Sequence, residues 1–119
     1  MIAYAQADEE KKKALEQAGV ILIQAEKNGK VDIKLLLKEL GAMGIDSILV
    51  EGGGGIHGSF LESGLVNKVY AYIAPKLIGG AASKTPIAGK GLEKMRDAWK
   101  LKNMEIKKIG EDLLITGYM

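Results

Sequence analysis

The chain has 119 residues, 47% of them hydrophobic and 27% charged, a usage that fits one small domain with a core and argues against disorder. The net charge of +2, from 17 basic and 15 acidic residues, is too balanced for a nucleic-acid-binding or acidic-membrane-binding surface. The absence of cysteine excludes disulfides, zinc–thiolate sites and thiol catalysis, and a single histidine, His57, excludes a multi-histidine metal site and a Ser-His-Asp triad elsewhere.

Residues 2–5 suit a short strand. Asp8, Glu9 and Glu10 followed by Lys11, Lys12 and Lys13 have the polarity of a helix start, with acids at the positive end of the dipole. The lysine run reads as a solvated helix face. Gly19 suits the position just past that helix. The continuous apolar run Val20, Ile21, Leu22, Ile23 predicts a buried parallel strand. A polar turn at 26–30 contains Asn28-Gly29. Asp32 is a candidate N-cap for a helix to about Met43, with Ile33, Leu36, Leu37, Leu40 and Met43 at helical spacing, ended by Gly44.

Ile48, Leu49 and Val50 predict the next buried strand. It ends on Glu51 and four glycines, Gly52, Gly53, Gly54 and Gly55, before a helix over 56–63 closed by Gly64. Residues 68–74 alternate with period two and predict a strand ended by Pro75. Residues 76–91, rich in Gly, Ala, Ser and Lys, read as an irregular connection, and 92–98 as a short helical turn. Residues 101–109 and 113–118 predict a hairpin at Gly110, Glu111 and Asp112. The expected fold is α/β: a mixed, mostly parallel sheet flanked by helices, with a C-terminal antiparallel hairpin, in one domain. No apolar run approaches the roughly 18 residues of a membrane span, and with no signal-peptide layout a cytoplasmic location is expected.

The strand, glycine turn and helix around Glu51 suit a phosphate or other anion. Glycine lets backbone approach closely, and the first N–H groups of a helix lack partners and carry partial positive charge. Gly53, Gly55 and Gly58 fit G-x-G-x-x-G. A Rossmann site also requires a carboxylate at the end of the next strand, where this chain has Ile73, Ala74, Pro75 and Lys76, so that assignment is disfavoured. Glu51 either accepts hydrogen bonds from a polar substrate, or caps the turn or pairs with a lysine. His57 is either a neutral donor to a phosphate or nicotinamide amide, or a partly exposed structural histidine. Ser59 either adds a hydroxyl to the anion site or faces solvent. The Lys84-Thr85 pair lacks the glycine a Walker loop needs before it, where Ser83 stands. Trp99 and Tyr118 read as packing residues.

VEGGGGIHGSFLESGLVNKVYAYIAPKLIGG, then TPIAGKGLEKM and a terminal GEDLLITGY, resembles the C-terminal part of the bacterial riboflavin-biosynthesis reductase domain. That resemblance implies a dihydrofolate-reductase-like fold. It implies NADPH-dependent reduction of the ribosyl group of 5-amino-6-(5-phosphoribosylamino)uracil to a ribityl chain. Glu51 matches the substrate-contacting carboxylate of the family. Gly53, Gly54, Gly55, Ile56, His57, Gly58 and Ser59 match its NADP-contacting segment, and Lys76 falls on its pattern as a charge partner. No catalytic proton donor and no metal ligand are assigned. A complete reductase domain is about twice this length and is usually fused behind a deaminase domain. The expectation is therefore a C-terminal portion of one reductase domain, with the N-terminal half and the deaminase in the full-length protein, weak NADPH affinity alone, and an open sheet edge that favours a homodimer. The alternatives are a non-catalytic oligomeric nucleotide-binding module and a folded half-domain that binds nothing.

Overall fold

The computed structural model of the chain describes residues 1–80 and 82–119. They fall into two compact units, Met1–Leu49 and Val50–Met119.

In the first unit, β1 (Ile2–Tyr4) pairs in parallel with β2 (Leu22–Gln24), Ile2 opposite Leu22 and Tyr4 opposite Gln24. A parallel pair needs a crossover, and α1 (Glu9–Gln17) supplies it. The Asp8 side chain caps α1 by accepting from the Glu10 and Lys11 amides at 2.9 and 3.3 Å. Within α1, the Glu9 carboxylate pairs with Lys12 and holds its ammonium above the usual lysine range. Gly19, at φ +76°, turns the chain out of α1 in the left-handed conformation expected there. Ile23 and Ala25 are the buried apolar residues among those described. Ala25 is held on both sides by backbone: its N–H donates to the Tyr4 carbonyl at 3.0 Å and its carbonyl accepts from Asp32 at 2.7 Å.

Asn28 and Gly29 both have positive φ, 54° and 76°, which suits a two-residue turn of the primed type. They join β3 (Glu26–Lys27) to β4 (Lys30–Val31) as a two-rung antiparallel hairpin. The sequence predicted only a turn here, because strands of two residues are too short to show a period-two alternation. α2 (Ile33–Ala42) begins at Asp32, whose carboxylate accepts from the Leu35 amide at 2.9 Å, and Gly44 follows it at φ +82°.

The predicted strand at Ile48, Leu49 and Val50 is corrected: these residues belong to no ladder among the described residues. An apolar run specifies a wish for burial but not a partner, and a strand exists only where its N–H and C=O groups are paired. Among the described residues, parallel pairing is therefore seen only at β1–β2.

In the second unit, α3 (Gly54–Ser63) follows the glycine turn and ends at Gly64, which sits at φ +70°. The period-two stretch forms β5 (Lys68–Ile73). The hairpin of β6 (Lys102–Ile109) and β7 (Asp112–Tyr118) turns at Gly110, φ +62°. The sheet order is β5–β7–β6, all antiparallel, so β5 and β6 are both edges. One face places Lys68, Tyr70, Thr116 and Tyr118 together; the Lys68 ammonium lies 4.9 Å from the Tyr70 ring centre and 5.0 Å from that of Tyr118. The other carries Val69, Ala71, Ile73, Leu113, Ile115 and Ile106. The expected helical turn at 92–98 is a single 3-10 turn, Met95–Asp97. The α/β class and the C-terminal hairpin are as the sequence predicts. No helix among the described residues is long and apolar enough to cross a membrane.

Candidate functional site

The four glycines before and at the start of α3 all have φ outside the left-handed region, so they are not there to permit an unusual backbone. Their use is steric, and they divide into two kinds. A Cβ on Gly52 would lie 2.7 Å from the Cβ of Ile56, and one on Gly54 would lie 2.6 Å from the Thr85 carbonyl oxygen. Around Gly53 and Gly55, by contrast, nothing lies within 4 Å of an added Cβ. Gly58, one turn beyond Gly54 and on the same face, is buried, and a Cβ there would fall on the Ala88 carbonyl oxygen.

The elements that crowd Gly54 and Gly58 belong to the loop 85–90, which lies along α3. Three contacts hold it there. The Ala88 amide donates to the Gly54 carbonyl at 2.9 Å, and the Lys90 amide donates to Glu62 Oε1 at 3.4 Å. His57 Nδ1 lies 2.9 Å from the Pro86 carbonyl oxygen. A carbonyl can only accept, so this contact requires the proton on Nδ1, and neutral His57 then presents Nε2 as an acceptor. The loop is also stiffened from within: the Thr85 hydroxyl donates to the Ile87 carbonyl at 2.9 Å and accepts from the Ile87 amide at 3.4 Å.

The opposite side of the turn is open. Gly53 is the N-cap of α3 and, having no side chain, leaves the first amides uncapped. Its carbonyl accepts from Ile56 at 2.9 Å and His57 at 3.2 Å, while the Gly54 and Gly55 amides, first in the helix, have no helical carbonyl to reach. Ile56 is half exposed. Ser59 is exposed and donates to the Gly55 carbonyl at 2.9 Å, leaving its lone pairs to accept. Glu51 is exposed and makes no hydrogen bond or ion pair among the described residues, so it neither caps the turn nor meets a lysine. Lys76 is exposed, its amide donating to the Ala74 carbonyl at 2.8 Å. No group of three or more potential metal ligands occurs among the described residues.

Sequence reasoning missed Glu62 and the loop 85–90. The signal that could have found them is the spacing of Gly54 and Gly58, four residues apart on one helical face, where backbone can approach closely. A second hollow, of about 410 Å³, is bounded in the first unit by Tyr4, Gln6, Asp8, Lys11 and Leu15 among others. It is mostly apolar and contains none of the glycine-turn residues.

Residues 1–115 match the family model described as the RibD C-terminal domain. The chain is 50% identical over 95 residues to the riboflavin biosynthesis protein RibD of Actinobacillus pleuropneumoniae, which covers 80% of this chain and 25% of that protein. It is 36% identical over 111 residues to the RibD of Bacillus amyloliquefaciens, covering 93% of this chain and 30% of the relative. It is 40% identical over 86 residues to the 2,5-diamino-6-ribosylamino-4(3H)-pyrimidinone 5′-phosphate reductase of Methanothermobacter thermautotrophicus, covering 72% of this chain and 40% of that enzyme. The chain thus spans a quarter to two fifths of these curated relatives. The solved structure of Acinetobacter baumannii RibD superposes with a TM-score of 0.74 at 22% identity, over 89% of this chain and 28% of that one, which shows a shared fold.

Proposed function

Because the chain belongs to the RibD C-terminal domain family, we propose that it forms part of a single NADPH-dependent reductase domain of riboflavin biosynthesis. The substrate in this reading is 5-amino-6-(5-phosphoribosylamino)uracil, whose ribosyl group is reduced to a ribityl chain. The observation that carries the reading is the open side of the glycine turn. At Gly53 and Gly55 there is room for a phosphate against the backbone, and the Gly54 and Gly55 amides, which have no partner among the described residues, supply donors and the positive end of α3. The chemistry of this donor set fits the pyrophosphate of a nicotinamide nucleotide.

In this proposal the segment Gly53, Gly54, Gly55, Ile56, His57, Gly58 and Ser59 forms the wall beside the cofactor, open toward it at Gly53, Gly55 and Ser59 and backed by the loop 85–90 at Gly54, His57 and Gly58. Gly53 and Gly55 provide the close approach, and Gly54 and Gly58 seat the supporting loop. The Ser59 hydroxyl is within the first two turns and able to turn toward an anion. Glu51, unengaged and at the entry of the turn, accepts hydrogen bonds from the pyrimidine nucleotide. NADPH, when bound, supplies the hydride for the reduction. The residues of this chain bind and orient, so that the reacting carbon and the nicotinamide are held in register.

A cytoplasmic homodimer is part of the same proposal. The two edge strands β5 and β6 and the half-exposed Ile73, Leu113 and Ile106 of the second unit support a protein partner for this sheet. Sedimentation of the chain is expected to show a dimer.

Calorimetry tests the cofactor reading. Titration of the chain is expected to give weak, saturable heat with NADPH, and competition by inorganic phosphate. Absence of heat with NADPH, NADH and phosphate would leave a folded unit that binds no nucleotide.

A further inference from the structure

The hydrogen bonds around α3 have a consequence for two side chains that no ligand contact explains. Glu62 faces the loop 85–90, not the open side of the turn: its Oε1 accepts from the Lys90 amide at 3.4 Å and would sit 2.8 Å from a Cβ on Gly89, itself at φ +122°. His57 uses Nδ1 on the Pro86 carbonyl. Between them, the Ala88 amide bonds the carbonyl of Gly54, a residue of the turn itself. The loop therefore grips the turn at its first helical residue and is fastened on either side by one side chain of α3. We propose that the loop 85–90 is the element that fixes the geometry of the glycine turn, and that His57 and Glu62 are positioning residues that act through this loop.

The physical basis is that no other hydrogen bond to a distant residue anchors the turn among the described residues. Gly53 provides no side-chain cap, so the first turn of α3 would fray. Glycines are the residues with most conformational freedom to lose, and four in a row make a loose entry to a helix. Among the described residues, the Gly54 carbonyl, bonded to Ala88, is the one backbone group of this run that is tied to a distant part of the chain. A ligand held by the Gly54 and Gly55 amides then depends on loop residues it never touches. This dependence rests on the cofactor reading above; the fastening of the loop does not.

The choice of substitutions separates positioning from ligand contact. Asparagine can place an amide N–H near the Nδ1 position of histidine but has nothing at Nε2, and glutamine retains Oε1 as an acceptor. His57→Leu and Glu62→Ala are expected to speed amide exchange at Ala88 and Lys90 roughly fivefold each, the loss of about one hydrogen bond. They should weaken NADPH by a similar factor. His57→Asn and Glu62→Gln should restore both, and exchange in the β6–β7 hairpin should stay unchanged throughout as a control for folding. Unchanged exchange at Ala88 in both His57→Leu and Glu62→Ala would overturn the proposal. So would a His57→Asn variant that keeps slow exchange yet binds NADPH as poorly as His57→Leu, since that places Nε2 on the ligand. If the unsubstituted chain binds no NADPH, the cofactor reading falls, and the exchange rates alone decide whether these side chains hold the loop.

Discussion

Gly58→Ala is expected to release the loop 85–90 from α3 and to lower the stability of the second unit by about 1–3 kcal/mol. The direction is opposite to that of an ordinary glycine-to-alanine change in a helix, which gains up to about 1 kcal/mol in propensity and unfolded-state entropy. Here the added methyl falls on the Ala88 carbonyl oxygen. The obstacle is backbone, which cannot rotate away as the end of a flexible side chain would, so either the loop lifts or the helix shifts. Gly55→Ala makes the contrast. It has no neighbour within 4 Å of the new Cβ, so the fold should lose nothing, while a phosphate approaching the turn should meet the methyl and bind about tenfold less tightly. Gly41→Ala, in the last turn of α2 with open space around it, serves as the reference for a propensity gain without a clash. Denaturation of the three variants, read beside NADPH titration, checks the division of the glycines. A Gly58→Ala chain as stable as Gly41→Ala would show that the loop does not press on α3.

Glu51→Gln is expected to lower kcat/KM between tenfold and a hundredfold in a reductase of full family length carrying this stretch, with the dissociation constant for NADPH unchanged. A hydrogen bond to a charged acceptor contributes about 1.5–3 kcal/mol when its partner is a bound ligand. Glu51 has no ion pair or hydrogen bond among the described residues that a neutral isostere would break, so the fold should be indifferent to the change. Steady-state kinetics with the pyrimidine nucleotide and a separate cofactor titration measure the two quantities. A loss of NADPH affinity as large as the loss of turnover would move Glu51 from the substrate to the cofactor.

Much of the architecture could be read from local chemistry. Asp32 caps the helix it was expected to cap, the acids at 8–10 open α1 with Asp8 as its N-cap, and Gly19, Gly44 and Gly64 adopt positive φ at helix ends. The alternation of 68–74 and the turn at Gly110 lead to β5 and the β6–β7 hairpin. These features depend on residues close in sequence. The strand expected at Ile48, Leu49 and Val50 failed because pairing is a non-local property. The glycine run was legible as a turn, but its internal division was not. G-x-G-x-x-G groups Gly53 and Gly55 with Gly58, whereas the structure groups Gly54 with Gly58 against the loop and leaves Gly53 and Gly55 open. That grouping needs the position of Ala88, thirty residues beyond Gly58, which no local pattern contains.

In the proposed reading the open side of the glycine turn receives a nicotinamide nucleotide. Backbone amide shifts of the chain during titration with NADPH test it most directly. Saturable shifts are expected at the Gly53, Gly54 and Gly55 amides, larger than those at Gly41 or Gly110, with a smaller coupled shift at Ala88. Shifts confined to other residues at saturation, with the three turn amides unmoved, would contradict it.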